Sequence, residues 1–347
     1  MFTLAGVPMG WMLGALTFVL CWKTFSGRTL HLPRWIYNLA LMTLSYGMGL
    51  SFTLDSLRFI AGQIHLMLLA TIVLLLIGFA AAAIVSRYSS ISAESSVLGN
   101  IPGGVVHMAE LSREIRGAEP TVVAVIQMCR FLAVIFIVPF AVTHFLAGGA
   151  APESDLPNIP TALPDNAASP ASLAALALLP ISAFLAARFK VPTPWMIGPL
   201  ATTIVYVAAG WKFPHPTMEM LSVTQILLGT GLALGFNLEL LREVFRFLHW
   251  ILLGIGITLA LTAVLAYAFS LATSLDPVTT FLALSPGGVA EMGATALIVD
   301  ADVPTVTAYH LFRILFILLV CPHLLKLGFG LWTKMNKRNI SGRHPES

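Results

Sequence analysis

Four uncharged runs, at residues 66–85, 191–211, 220–238 and 250–275, constrain this chain more than any other feature. Each is about as long as the ~20 residues a helix needs to cross ~30 Å of hydrocarbon. Only 10% of the 347 residues are charged and 57% are hydrophobic, against roughly 25% charged in ordinary soluble domains. The expected fold class is an all-α polytopic membrane protein.

What the composition lacks narrows the function. A net charge of +3 and the absence of a basic, aromatic-interleaved patch argue against a nucleic-acid partner. The three cysteines (Cys21, Cys129, Cys321) lie in apolar segments without CxxC spacing and read as packing residues. No HxH or HExxH pair, GxSxG, P-loop or GxGxxG pattern occurs, so no metal, cofactor or catalytic residue is expected. The start, MFTLAGVPMGWMLG, has no basic n-region and reads as the approach to a span rather than a signal peptide.

The chain reads as a duplication. VPMGWMLGAL at 7–16 and VPTPWMIGPL at 191–200 share six of ten positions at an offset of 184. NIPGGVVHM at 100–108 and LSPGGVAEM at 284–292 repeat at 184, and so does PTV at 120–122 and 304–306. Arg130 and Arg313, then Pro139 and Pro322, follow at 183. Each half has a Pro-x-x-Trp-Met-x-Gly helix (8–22; 194–210), a glycine-punctuated helix and a smooth apolar helix (65–85; 248–272). The PGG segment and an Arg-bearing helix (119–146; 303–328) complete it. A helix at 171–187 has no counterpart in the first half, whose N-terminus therefore looks one helix short. The expected organisation is a first membrane repeat over 1–146, an external Pro-rich linker at 147–170, a second repeat over 171–330 and a basic tail at 331–347.

Charge orients the scheme. Lys23, Arg28 and Arg34 place the loop 23–34 in the cytoplasm, with Arg188, Lys190, Arg242, Arg246 and the tail. Glu153, Asp155 and Asp165 place 147–170 outside, and Lys212 is the dissenting charge. With both PGG segments re-entrant, this gives nine spans and two inverted repeats. A discontinuous helix that crosses fully is the alternative.

Non-helical backbone at membrane depth persists only where protein or water satisfies it. Pro102-Gly103-Gly104 and Pro286-Gly287-Gly288 break their helices, and each following half-helix presents unpaired N–H groups and a positive dipole end. Two inverted repeats would bring two such ends to a midplane substrate site, the layout of secondary transporters. Arg130 and Arg313 lie mid-helix, with Gln127 and His310 three residues earlier on the same face. An arginine at that depth costs roughly 2.5–3.5 kcal/mol on insertion scales, so it should face protein or water. A structural ion pair, Arg130 with Glu110 or Arg313 with Glu291, is the competing account. His107 stands where the second half has Glu291. The candidate substrate-binding set is Pro102, Gly103, Gly104, His107, Gln127, Arg130, Pro286, Gly287, Gly288, Glu291, His310 and Arg313.

The duplicated PGG…M, the PTV…[QH]xxR…P pattern and P..WM.G.L together resemble the AbrB family of bacterial membrane proteins over nearly the whole chain. At the level of fold they also resemble the cation/proton antiporter and anion symporter superfamily. The family favours Glu in the PGG-x-x-Glu-Met position, which Glu291 matches and His107 does not. Labels within the family, regulator of gene expression and ammonia monooxygenase, imply activities with no DNA-binding domain or copper cluster to support them here. The expected function is a secondary transporter of a small anionic or amphipathic solute in the bacterial inner membrane, its C-terminus cytoplasmic. Its partners would be the solute, H+ or Na+ as a coupling ion and the lipid bilayer, with a homo-oligomer left open. A membrane-embedded regulator acting through a partner is the alternative, and a monooxygenase comes last.

Overall fold

The computed structural model describes residues 9–26, 28, 30–146, 175–211, 213–237, 239–240, 244–273 and 275–341, with side chains as far as 323 and none at 106. The described residues are helical, without a strand. The first eight helices are α1 (Gly10–Ser26), α2 (Arg34–Leu50), α3 (Leu54–Gly62), α4 (Ile64–Tyr88), α5 (Ala93–Asn100), α6 (Val105–Glu114), α7 (Pro120–Ala141) and α8 (Leu178–Arg188). Then come α9 (Pro194–Ala208), α10 (Met218–Gly235), α11 (Leu248–Thr273), α12 (Pro277–Leu284), α13 (Val289–Ile298) and α14 (Val303–Ser341).

Among the described residues, five segments are long and apolar enough to cross a membrane: Ile64–Tyr88, Pro120–Leu146, Met218–Gly235, Phe245–Thr273 and Val303–His323. The nine-span scheme also counts shorter helices. Among them, α1 and α2 have 17 residues each, about 25 Å. Large apolar side chains stand on the outside of the long helices, among them Leu76, Val264, Tyr267 and Leu271. Water would make such a surface costly, whereas hydrocarbon does not. The loop 147–170 with its three acids, Lys212 and Arg242 lie outside the described residues.

Most expected helices sit where periodicity and punctuation place them. Pro194 opens α9 at its first position, where its missing N–H costs nothing. The helix expected at 119–146 is α7, which runs through Pro139 and ends in a π-helical turn, Val142–Leu146. A proline cannot donate to the i−4 carbonyl, and such turns absorb the mismatch. The helix expected at 303–328 continues to Ser341. The short α3 was not anticipated; a capping box between Thr53 and Ser56 starts it.

The chain divides into two compact units that cut across the sequence halves. Unit 1 is Met1–His65, Ala133–Leu238 and Ala263–His310; unit 2 is Leu66–Leu132, Glu239–Thr262 and Leu311–Ser347. In unit 1, α1 packs on α10, α2 on α9, α10 and α13, and α8 on α9. Gly198 of the Pro-x-x-Trp-Met-x-Gly motif faces the α8 backbone so closely that a Cβ would sit 2.6 Å from the Ser182 carbonyl oxygen. Its counterpart Gly14 meets nothing within 4 Å. The helix without a partner in the duplication is thus the one that Gly198 receives. In unit 2, Leu75, Leu98, Ile101, Met108, Val123 and Ile317 form the apolar core around the first PGG segment.

Candidate functional site

Each PGG segment is a break between two short helices, and the two breaks have matching bounds. Helices α5 and α12 are eight residues long, and α6 and α13 are ten. All four start and end at an offset of 184. Ser92 caps α5 by accepting from the Ser95 N–H, and Asp276 caps α12 by accepting from the Thr279 N–H. Both helices stop at the residue before proline. Ile101 (φ −71°, ψ 129°) and Ser285 (φ −56°, ψ 138°) are extended, because the proline ring ahead disfavours helical backbone.

The first break belongs to unit 2. The last carbonyls of a helix lack intrahelical donors, and here Gln127 and Arg130 of α7 supply them. Buried Gln127 donates through Nε2 to the Leu98 and Ile101 oxygens, both at 2.8 Å. Arg130 donates through Nη1 to the Gly99 and Asn100 oxygens at 3.3 and 3.2 Å, and through Nη2 to Gln127 Oε1 at 2.7 Å. Four consecutive carbonyls are therefore held by two side chains, and a cation sits at the negative end of the α5 dipole. Arg130 makes no pair with Glu110, which is exposed on α6. The competing account, an Arg130–Glu110 ion pair, thus gives way to a carbonyl clamp, in which the guanidinium serves orphaned backbone oxygens. Pro102 and Gly103 are buried, while Gly104 and His107 are exposed.

The second break belongs to unit 1. His310, fully buried, lies with Nε2 3.0 Å from the Leu282 oxygen. Leu282 corresponds to Leu98, so His310 grips the same carbonyl that Gln127 holds in the first break. Pro286 is buried and Gly287 and Gly288 are half-buried. Glu291 is 7% exposed on the first turn of α13, where its carboxyl accepts from its own backbone N–H. Tyr37 of α2 lies within electrostatic range of that carboxyl. The sequence motifs did not single out Tyr37, which stands in a segment without a motif of its own. Thr295, one turn on, donates to the Glu291 carbonyl oxygen at 2.8 Å. Arg313 is 2% exposed and belongs to unit 2.

The glycines serve different ends. Gly104 has φ 85°, the left-handed region that side chains resist, whereas Gly288 (φ −81°, ψ 156°) is in ordinary extended backbone. Of the two breaks, the first alone thus uses left-handed backbone at this position. Gly103 and Gly287 are packing points. A Cβ on Gly103 would meet Met108 and Ile317, and one on Gly287 would meet Met292 and Val134. These contacts are reciprocal: Met108 corresponds to Met292 at 184, and Val134 to Ile317 at 183. Each break therefore packs on the arginine-bearing helix of the other half, one turn beyond its arginine.

Known proteins agree with this picture at the level of family. The family described as "Transition state regulatory protein AbrB" matches residues 11–328. A Bacillus subtilis (strain 168) relative, "Uncharacterized protein YhjN", is 27% identical over 98% of this chain and 93% of its own length. A relative from Escherichia coli (strain K12), "Putative regulator AbrB", is 26% identical over 92% of this chain and 88% of its own length. No solved structure matches significantly. With the family's pattern running through both breaks and nearly the full length, this chain belongs to the AbrB family.

Proposed function

We propose that the protein is a secondary transporter, not an enzyme, and that it moves a small anionic or amphipathic solute across the bacterial inner membrane with a cytoplasmic C-terminus. One observation carries the reading: two helix breaks of equal bounds, clamped through the same carbonyl and packed reciprocally on the opposite arginine helices. A two-fold relation between inverted repeats accounts for that reciprocity, and broken helices at such an axis are how transporters place polar backbone in lipid. Glu291 supplies the coupling group. A carboxyl buried at a helix N-terminus, with no ion pair among the described residues, takes and releases a proton as its surroundings open.

The test is reconstitution in liposomes with an entrapped pH dye and a panel of radiolabelled small carboxylates and uncharged amphipaths. One solute class should move, faster under an imposed proton or sodium gradient, and Glu291→Gln should abolish the acceleration. If no solute moves under any gradient, transport is rejected.

A second reading, a membrane-embedded regulator, is favoured by the family's description and by the name of the Escherichia coli relative. It predicts that Glu291→Gln changes gene expression in cells while the reconstituted protein moves nothing.

A further inference from the structure

Unit 1 contains a cavity separate from both clamps. It is partly open to the outside, and the space within it available to the centre of a water-sized molecule is about 20 Å³. The walls come from α1 (Met12), α2 (Leu44), α10 (Met218, Leu221, Ser222, Thr224, Gln225, Leu228) and α13 (Ala294, Leu297, Ile298). Three properties of this lining limit what can occupy it.

First, no lining residue is charged, so an ion entering would lose its hydration without a counter-charge. Second, the lining is mainly aliphatic and includes two methionines, whose unbranched thioethers adapt to varied apolar shapes. Third, Gln225 Oε1 is buried and has no hydrogen-bond donor among the described residues. A buried carbonyl oxygen left unpaired costs about 1–3 kcal/mol, and the hydroxyl-bearing Ser222 and Thr224 flank Gln225 on the same helix. A lipid acyl chain would fill the space yet leave Oε1 unsatisfied. A molecule with one O–H or N–H donor and an apolar body satisfies the oxygen and covers the aliphatic walls together.

We infer that this cavity is a binding site for a small, uncharged amphipathic molecule, its hydrogen-bond donor on Gln225 Oε1 and its apolar body against Met12, Leu221, Leu228 and Leu297. Ala294 and Leu297 stand one and two turns beyond Glu291, so an occupant lies along the same helix that begins at the second break. The site is independent of whether the protein transports or regulates.

Photolabelling of the full chain in liposomes tests this, with a diazirine-bearing short-chain alcohol as probe and adducts mapped by mass spectrometry. Adducts should concentrate in 218–228 and 294–298. Hexanol should displace them, and hexanoate and hexylammonium should not. Ala294→Phe, which fills the cavity, should lower labelling there by about fivefold or more. Gln225→Leu should weaken competition by hexanol about tenfold, the loss expected for one buried hydrogen bond. A cooperative thermal transition for both variants would establish that they fold, and Ala294→Leu provides a milder filling if Ala294→Phe does not. Labelling spread equally over lipid-facing residues such as Leu252, Val264 and Leu271, unchanged by filling, would mean lipid occupancy and overturn the site. Displacement by hexanoate or hexylammonium at the same concentration as hexanol would overturn the uncharged class.

Discussion

The two breaks share their bounds, their clamped carbonyl and their packing partners, but the helices that follow them live in different surroundings. After the first break, α6 and the turn beyond it carry Glu110, Arg113, Glu114, Arg116 and Glu119, all exposed. After the second, α13 is buried from Val289 to Ala296, and Glu291 is its one charged residue. A glutamate at the third helical position is stabilised by the helix dipole; a histidine there, as in His107, gains nothing from it when protonated. The first arm is therefore built around a fixed cation at its α5 end, and the second around a titratable acid at its α13 start. The two breaks have the same frame, and they differ in how deeply the residue at the third helical position after each is buried.

Exchanging the acid should have the largest effect. Glu291→Gln should lower gradient-driven flux, or the regulatory output, by about tenfold or more, within the range for loss of a proton-transfer group. His107→Gln should leave it within about twofold. Equal losses would erase the distinction between the arms.

Next comes the clamp. Gln127→Leu leaves the Leu98 and Ile101 oxygens without their donor, at about 1–3 kcal/mol for each buried group. Thermal unfolding in detergent should show a large drop, and Gln127→His, copying the second arm, should recover part of it. Wild-type stability for Gln127→Leu would show that the carbonyls find other partners.

Helix contact is the third measure. Gly99 lies so close to α7 that a Cβ would stand 2.7 Å from Ile126 Cβ, while its counterpart in the second arm is already alanine, Ala283. Gly99→Ala should destabilise by about 1–3 kcal/mol through overpacking, despite the better helix propensity of alanine. The smallest expected effect is a gain. His107→Glu restores the acid to the exposed first turn of α6 and should stabilise by about 0.3–1 kcal/mol at low salt, less at high salt.

Spans, breaks and their spacing were legible because each rests on local chemistry: uncharged length, prolines that end helices, and an offset that repeats. Gly14 and Gly198, alike in sequence, differ in packing: Gly198 meets the α8 backbone and Gly14 meets nothing among the described residues within 4 Å. The partner of Arg130 was not readable. A sequence displays carboxylates such as Glu110 as candidate partners for a buried arginine, but it does not display which backbone carbonyls a helix break will orphan. The same blindness hid the cavity, whose walls join Met12 to Gln225 and Ala294 across three helices with no motif in common. Tyr37 escaped for a related reason: one aromatic residue in an apolar helix looks like packing until Glu291 is found within electrostatic range of it.

The length of α14 has a mechanical consequence. Its 39 residues make a rod of roughly 58 Å at ~1.5 Å per residue, while the hydrocarbon layer is only ~30 Å deep. Even tilted by ~40°, such a rod covers roughly 44 Å of depth, so one end stands in water. Arg313 sits near its start, among the buried residues of the second Arg-bearing segment. The buried start of α14 and the end that stands in water are thus joined by helix alone, with no loop between them.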